Sequence, residues 1–304
     1  MNLLFTIHQC LILPFLLTFF GFYEKENFIA DNIFEVKAGK SIMKISANGG
    51  RIISYSLGKN EFITSLKEHV NFGSTLWVAP QSDWGWPPYD ALDNQEYVTT
   101  KIGDKVKMIS KPDPISGLQF EKIWVPAGNQ SIQIIYKIKN ISRTAKRIGA
   151  WEVTRVPCGG VAFFPWGGSG SVPQSSLKKY VRKKNINWIS IDKTPLHNHQ
   201  KLFSTGKEGW LAYAFNGTLF VKQFQDTKYF QYSPNQGEIE IYLDKNKNYA
   251  ELENHGSYQL LLSGQAISYK STWYLANIPK GINTNIGNEK LATFCRNRIN
   301  KYKH

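Results

Sequence analysis

From residue 33 to residue 278 apolar and polar side chains alternate with a period of two. That is the pattern of strands that bury one face and wet the other. In SIQIIYKIKN (131–140) it puts Ile132, Ile134, Tyr136 and Ile138 on one face. In GEIEIYL (237–243) it sets Glu238, Glu240 and Tyr242 against Ile239, Ile241 and Leu243. Residues 209–224, GWLAYAFNGTLFVKQF, are two strand-forming runs meeting at Asn216-Gly217. This pair is preferred in two-residue hairpins because both central positions need φ > 0. SIMKISANGGRIISYSL (41–57) reads as a second hairpin, turning at Asn48-Gly49-Gly50. Further strands are expected over 94–100, 104–110, 117–125, 149–156, 186–191, 249–255 and 265–275. Helical spacing is confined to the tail, where Leu291, Phe294, Cys295 and Ile299 form one stripe. No repeat and no linker divides the chain. One-faced strands in this number bury their apolar sides by stacking as two sheets. The expected fold is therefore all-β: a large antiparallel β-sandwich over residues 25–282, then a basic tail or short C-terminal helix over 283–304.

The ends and the charge narrow the function classes. Residues 3–22, LLFTIHQCLILPFLLTFFGF, carry almost no charge and stop at EKEN. Residues 1–24 are expected to be a signal peptide or an N-terminal membrane anchor, the run being near spanning length. Export is the expectation: periplasmic, secreted or anchored at the N-terminus. The net charge is +14, which favours anionic partners. The lysines, however, are scattered singly along the strands, and the one dense cluster is LKKYVRKK (177–184) in a loop. No zinc-finger spacing, phosphate-binding glycine loop or RNA-binding aromatic signature accompanies them, so nucleic acid is not an expected partner. Past the N-terminal run only Cys158 and Cys295 remain. They allow a single bridge, make no disulfide framework and are too few for structural zinc. His197 and His199 lie in a polar loop, PLHNHQ. No metal and no cofactor are expected.

Three segments carry chemistry. PQSDWGWPP (80–88) places Trp84 and Trp86 on a proline-bounded segment behind Gln81, Ser82 and Asp83, with Trp77 just upstream. Aromatic faces with a few polar groups suit a small-ligand site, and equally a plug at one end of the core. In GAWEVTRVPCGG (149–160) a regular strand turns Glu152 and Thr154 one way and Trp151, Val153 and Arg155 the other. A site explains these polar residues, and so does a structural Glu–Arg pair. In YAELENHGSY (249–258) Tyr249, Glu251, Glu253 and His255 share a face. Two carboxylates beside an imidazole are what proton transfer needs, because crowding like charges raises one carboxyl pKa toward working pH. A solvated strand face before a turn gives the same pattern.

Taken in order, these segments resemble a known pattern. Gly49-Gly50-Arg51-Ile52 is followed by GSTLWVAPQSDWGWPP (73–88), GLQFEKIWV (117–125), YKIKN (136–140) and WEVTRVP (151–157). Then come KLF (201–203), GWLAY (209–213), LFVKQF (219–224), ELENHGSY (251–258) and LLSGQAISYKSTWYL (261–275). The chain resembles a bacterial family of unknown function within the galactose mutarotase-like superfamily. The resemblance implies a supersandwich of stacked antiparallel sheets with a carbohydrate on a concave sheet face. In aldose 1-epimerases a His protonates the ring oxygen and a late-strand Glu takes the anomeric proton. Carried over, Glu251 or Glu253 is the base and the other its orienting partner. Where mutarotases carry that His, after the Y-x-x-x-N strand, this chain offers Glu152, Thr154 and Arg155. Arg155 is a poor acid at neutral pH, so Glu152 or His255 is the candidate acid. Arg51, Arg155, Lys222 and Asp83 are the candidate binders of sugar hydroxyls or an acidic substituent, and Trp84 and Trp86 the candidate walls. If the protein is an enzyme, the resemblance implies a sugar isomerase. A non-catalytic carbohydrate-binding module of a polysaccharide-uptake system is the alternative reading, and a structural envelope domain without ligand the third.

Overall fold

The computed structural model describes residues 33–65 and 71–300, so the N-terminal apolar run lies outside the described residues. Among the described residues no helix is long and apolar enough to cross a membrane.

The alternating runs form two ten-stranded antiparallel sheets. The path of the first runs Ile33–Ala38, Ser41–Ser46, Arg51–Leu57, Ser74–Ala79, Lys146–Val156, Ala250–His255, Ile239–Leu243 and Gln200–Ser204. The short strands Gln259–Leu261 and Asn60–Glu61 attach to its side. The second runs Val181–Lys183, Ile186–Ile191, Gly160–Pro165, Trp210–Phe215, Thr218–Phe224, Ala266–Asn277, Ser131–Asn140, Leu118–Pro126, Lys105–Ile109 and Val98–Ile102. Both expected hairpins form. Asn216 and Gly217 take φ of 46° and 70°, as the two-residue turn requires. At the other, a Cβ on Gly49 would lie 1.9 Å from the carbonyl oxygen of Asp93. Only glycine lets the helical turn Asp90–Asp93 sit that close.

The main core lies between the sheets. Leu76, Val78, Ile239, Ile241 and Leu252 of the first pack with Ile132, Ile134, Phe220 and Trp273 of the second. The tail is a helix, Glu289–Asn300. Its buried Leu291, Ala292, Cys295 and Ile299 cover Trp210, Ala212 and Val221 on the far face of the second sheet. Cys158 and Cys295 are both buried free thiols, which removes the one disulfide their count allowed.

The core also holds charge. Lys222 Nζ lies 3.0 Å from Glu152 Oε2, with both side chains fully buried between the sheets. Tyr136 and Ser271 donate to the carboxylate, and Lys222 donates to Thr154 Oγ1 and the Leu252 carbonyl. Losing one member of such a pair strands the other charge in a medium that cannot solvate it. Lys222→Met should therefore lower stability by about 3–5 kcal/mol, and adding Glu152→Leu should recover much of that loss. Urea denaturation of the two variants checks both outcomes.

Candidate functional site

The outer face of the first sheet, turned away from the second, gathers the remaining chemistry. Residues directly opposite in an antiparallel pair share a face. Trp151 pairs with His255, Val153 with Glu253 and Arg155 with Glu251. On one side Trp77 and Thr75 oppose Trp151 and Val153. On the other, Glu240 and Tyr242 oppose Glu253 and Glu251, and Lys201 and Phe203 continue the row. The pleat thus brings Glu251, Glu253 and His255 together with Arg155, as the alternation of 249–258 requires.

Glu253 sits at the centre and is completely buried. Trp151 Nε1 donates to its Oε2 at 2.7 Å, and Lys201 Nζ lies 3.1 Å from the same oxygen. Its Oε1 has no protein partner. Burial, with Glu240 and Glu251 adding repulsion and Lys201 opposing them, pushes the Glu253 carboxyl up to about 8. Glu240 goes the other way. Burial opposes its ionisation, but His255 and Lys201 outweigh that and hold its carboxyl at about 2. Lys201 Nζ is 2.7 Å from Glu240 Oε2, and burial, which would lower its pKa, is overcome by Glu253 and Glu240, which raise it. The His255 ring stacks on Trp151 with centroids 5.3 Å apart. Its Nε2 is 3.3 Å from Glu240 Oε1, and its Nδ1 has no hydrogen-bond partner.

Two cations flank this centre. Arg155 Nε lies 2.9 Å from Glu251 Oε1, and its guanidinium is 5.3 Å from the Trp77 ring centroid. Arg51 Nη2 donates to Asp93 Oδ2 at 2.7 Å. Asp93 also accepts from Thr75 Oγ1 at 2.6 Å and Trp77 Nε1 at 3.0 Å. Burial works against the Asp93 carboxylate, yet Arg51 and these two donors hold its pKa below the ordinary value. Arg51 is therefore a clamp that fixes Asp93 and, through it, the Trp77 indole.

The tryptophan segment splits its two roles between its two indoles. Trp84 is half-buried, donates from Nε1 to the Val78 carbonyl at 2.8 Å, and packs on Trp77, Trp151 and Tyr89. Trp86 is 61% exposed and leans edge-on against Trp77 with centroids 5.8 Å apart. One ring plugs the structure while the other forms a rim.

Three of the expected site residues are placed elsewhere. Glu152 and Lys222 face the other sheet, because neighbouring residues on a strand point to opposite faces and Arg155 and Glu253 occupy the outer one. The candidate acid Glu152 is thus screened from Glu253 by the sheet itself. Asp83 is exposed and bonds within its own turn, to Ser82. It lines a separate cavity of about 300 Å³ beside Trp84 and Arg147.

Other residues complete the site: Glu240, Lys201, Asp93, Thr75 and Trp151. Glu240 carried a signal, lying on the charged side of GEIEIYL. Lys201 and Asp93 carried none, since their partners are 52 and 42 residues away. Glu240, Glu253 and His255 bring donor atoms within 4.8 Å of one another, a set of metal-ligand type. In this structure the Lys201 ammonium already supplies positive charge to both carboxylates.

Comparison with known proteins agrees with this architecture. A family model described as "Domain of unknown function (DUF4380)" matches residues 56–276. No curated protein matches the chain. A galactose mutarotase related enzyme from Lactobacillus acidophilus superposes with TM-score 0.58 at 10% identity, covering 82% of this chain and 98% of that one. A galactose mutarotase-like protein from Lactobacillus casei gives 0.56 at 11% identity, covering 80% and 100%. A candidate aldose 1-epimerase from Escherichia coli K12 gives 0.55 at 9%, covering 81% and 99%. The fold is the galactose mutarotase-like β-sandwich.

The raised pKa has a consequence for stability. Between about 4.5, the ordinary glutamate value, and about 8 the folded chain keeps a proton on Glu253 that the unfolded chain has released. The stability tied to that proton is complete below about 4.5 and is lost as pH rises to about 8. Glu253→Gln cannot titrate. Its melting temperature should therefore fall less than the wild type's between pH 5 and pH 8.5 (roughly the ends of that window). Parallel slopes for the two proteins would contradict the placement of this proton.

Proposed function

Because the chain belongs to the DUF4380 family and carries a mutarotase-like sandwich, we propose that it binds a sugar on the outer face of its first sheet and interconverts its anomers by acid–base chemistry. The observation that carries this reading is Glu253: a buried carboxyl, protonated near neutral pH, with one oxygen left unpartnered beside a wall of indoles. Indole faces suit the C–H faces of a pyranose, and the unpartnered Glu253 Oε1 and His255 Nδ1 suit its hydroxyls.

The roles follow from the divergence of neighbouring carboxyls. Glu253 is the acid and donates its proton to the ring oxygen. Glu251, beside Arg155 on the same face, takes the proton of the anomeric hydroxyl. The C1–O5 bond breaks, the anomeric C–O becomes a carbonyl, and rotation about C1–C2 followed by the reverse transfers closes the other anomer. The histidine acid of aldose 1-epimerases is thereby replaced by a carboxyl whose pKa burial has raised. Lys201 and Trp151 hold Glu253 Oε2, leaving Oε1 for the substrate. Glu240 and His255 set the field around it.

Anomer exchange of galactose and glucose, followed by polarimetry or magnetisation-exchange NMR, tests the proposal. The wild type should accelerate exchange, with a rate that declines above about pH 8 as Glu253 ionises. Glu253→Gln should lose about 10²–10⁴-fold in rate while still quenching tryptophan fluorescence on sugar addition. Quenching without any wild-type acceleration would instead support a binding module. Absence of both would remove the sugar reading.

A further inference from the structure

The cluster LKKYVRKK is not used by the site above. It borders the largest of the cavities described for the molecule, about 570 Å³, lined among others by Trp166, Lys178, Tyr180, Arg182 and Phe203. That volume suits a small ligand. The Arg182 guanidinium lies 3.6 Å from the Trp166 ring centroid and is fixed by its Nε donating to Asn187 Oδ1 at 2.9 Å. Lys178 is pinned by donating to the Ser175 carbonyl at 2.6 Å. No carboxylate lines the cavity, and among the described residues none lies within ion-pair distance of either cation. This differs from the sugar face, where each of Arg51, Arg155 and Lys201 has a carboxylate partner.

The cavity is held firmly against the sheet. Ser176 and Ser175 Oγ accept from the backbone N–H of Lys201 and Phe203, and Leu177 N donates to the Lys201 carbonyl. Thr205 donates to the Gly168 carbonyl at the other end of the loop. It also adjoins the sugar face. Phe203 lines the cavity and stands opposite Glu240 on the outer face, with Lys201 Nζ 5.4 Å from its ring. One aromatic side chain is thus common to both.

We propose that this cavity is a second subsite that takes an anionic sugar unit, bearing a carboxylate or a sulfate, so that the ligand is an acidic oligosaccharide running across Phe203 from the sugar face. This rests on the sugar-binding reading of that face. A guanidinium stacked on an indole and held through Nε leaves its two Nη groups for two parallel hydrogen bonds to such a group. Lys178 adds a point charge, and Trp166 and Tyr180 offer surface for the ring.

Calorimetry with the whole protein tests the proposal, using galactose, neutral galacto-oligosaccharide, oligogalacturonate and sulfated galacto-oligosaccharide as probes. At least one of the acidic probes should bind about ten-fold or more tighter than the neutral one, with an advantage that shrinks as salt rises. Arg182→Gln, and separately Lys178→Gln, should lose that advantage while galactose binding and melting temperature stay unchanged. Equal affinity for neutral and acidic oligosaccharides, or an acidic preference untouched in both variants, would overturn the subsite and leave the galactose site standing. Loss of galactose binding in the wild type would instead count against the sugar face. A single-stranded oligonucleotide that displaces the acidic oligosaccharide at equal concentration would show a generic polyanion surface and overturn the sugar assignment.

Discussion

The pairing of the Lys146–Val156 strand with Ala250–His255 is the constraint on which the rest depends. Its register puts Arg155 beside Glu251 and Val153 beside Glu253 on one side of the sheet, and leaves Glu152 on the other. A slip of one residue would exchange these sets. Arg155 would then face the apolar interior, and Glu152 would lose Lys222, Tyr136 and Ser271. Buried charge therefore enforces the register from both faces, since each misplaced ion would be stranded without its partner. Two ionic clusters back to back make the central strands unusually specific for buried sheet segments.

Much of this was legible in the alternation. The faces of 149–156, 239–243 and 250–255 follow directly from a period of two, while Glu238 lies before its strand and accepts from the Thr227 backbone instead, and both hairpins turn where their Asn-Gly pairs stand. The tail helix buries three of the four residues of its expected stripe, Leu291, Cys295 and Ile299, while Phe294 is only partly covered. What was hidden has physical causes. Ser74–Ala79 is buried on both faces, so it shows no alternation, although it carries Thr75 and Trp77. Asp93 stands in one helical turn whose position depends on close approach to Gly49. Lys201 lies at the end of the sheet path, and nothing local links it to strands far along the chain. Glu152 shows the limit most clearly. Its face was readable, yet whether that face met solvent, ligand or a second sheet depended on the stacking.

The tryptophan segment follows the same division of labour. Trp84 is tied to Val78 by its N–H and covers Trp151, the residue that donates to Glu253. Trp77 is tied to Asp93 and so to Arg51. Trp86 is tied to neither and leans on Trp77 alone among the tryptophans. The rings nearest the carboxyls are thus locked by hydrogen bonds, and the outermost is held by packing only.

The charge balance on the outer face of the first sheet rests on two neighbouring carboxyls. Glu240 and Glu253 are adjacent, fully buried and share one ammonium, so they cannot both ionise cheaply. Glu240 also has His255 at 3.3 Å and hydrogen bonds from Gln236 and the Gly237 backbone. It takes the negative charge. Glu253 has only Trp151 and a share of Lys201, and keeps the proton. Burial is common to the two, so the asymmetry comes from their neighbours: His255 and Lys201 favour the charged form of Glu240, and Lys201 alone that of Glu253. Burial raises the Glu253 carboxyl and the ionised Glu240 beside it adds to the effect, while His255 and Lys201 secure the charge on Glu240.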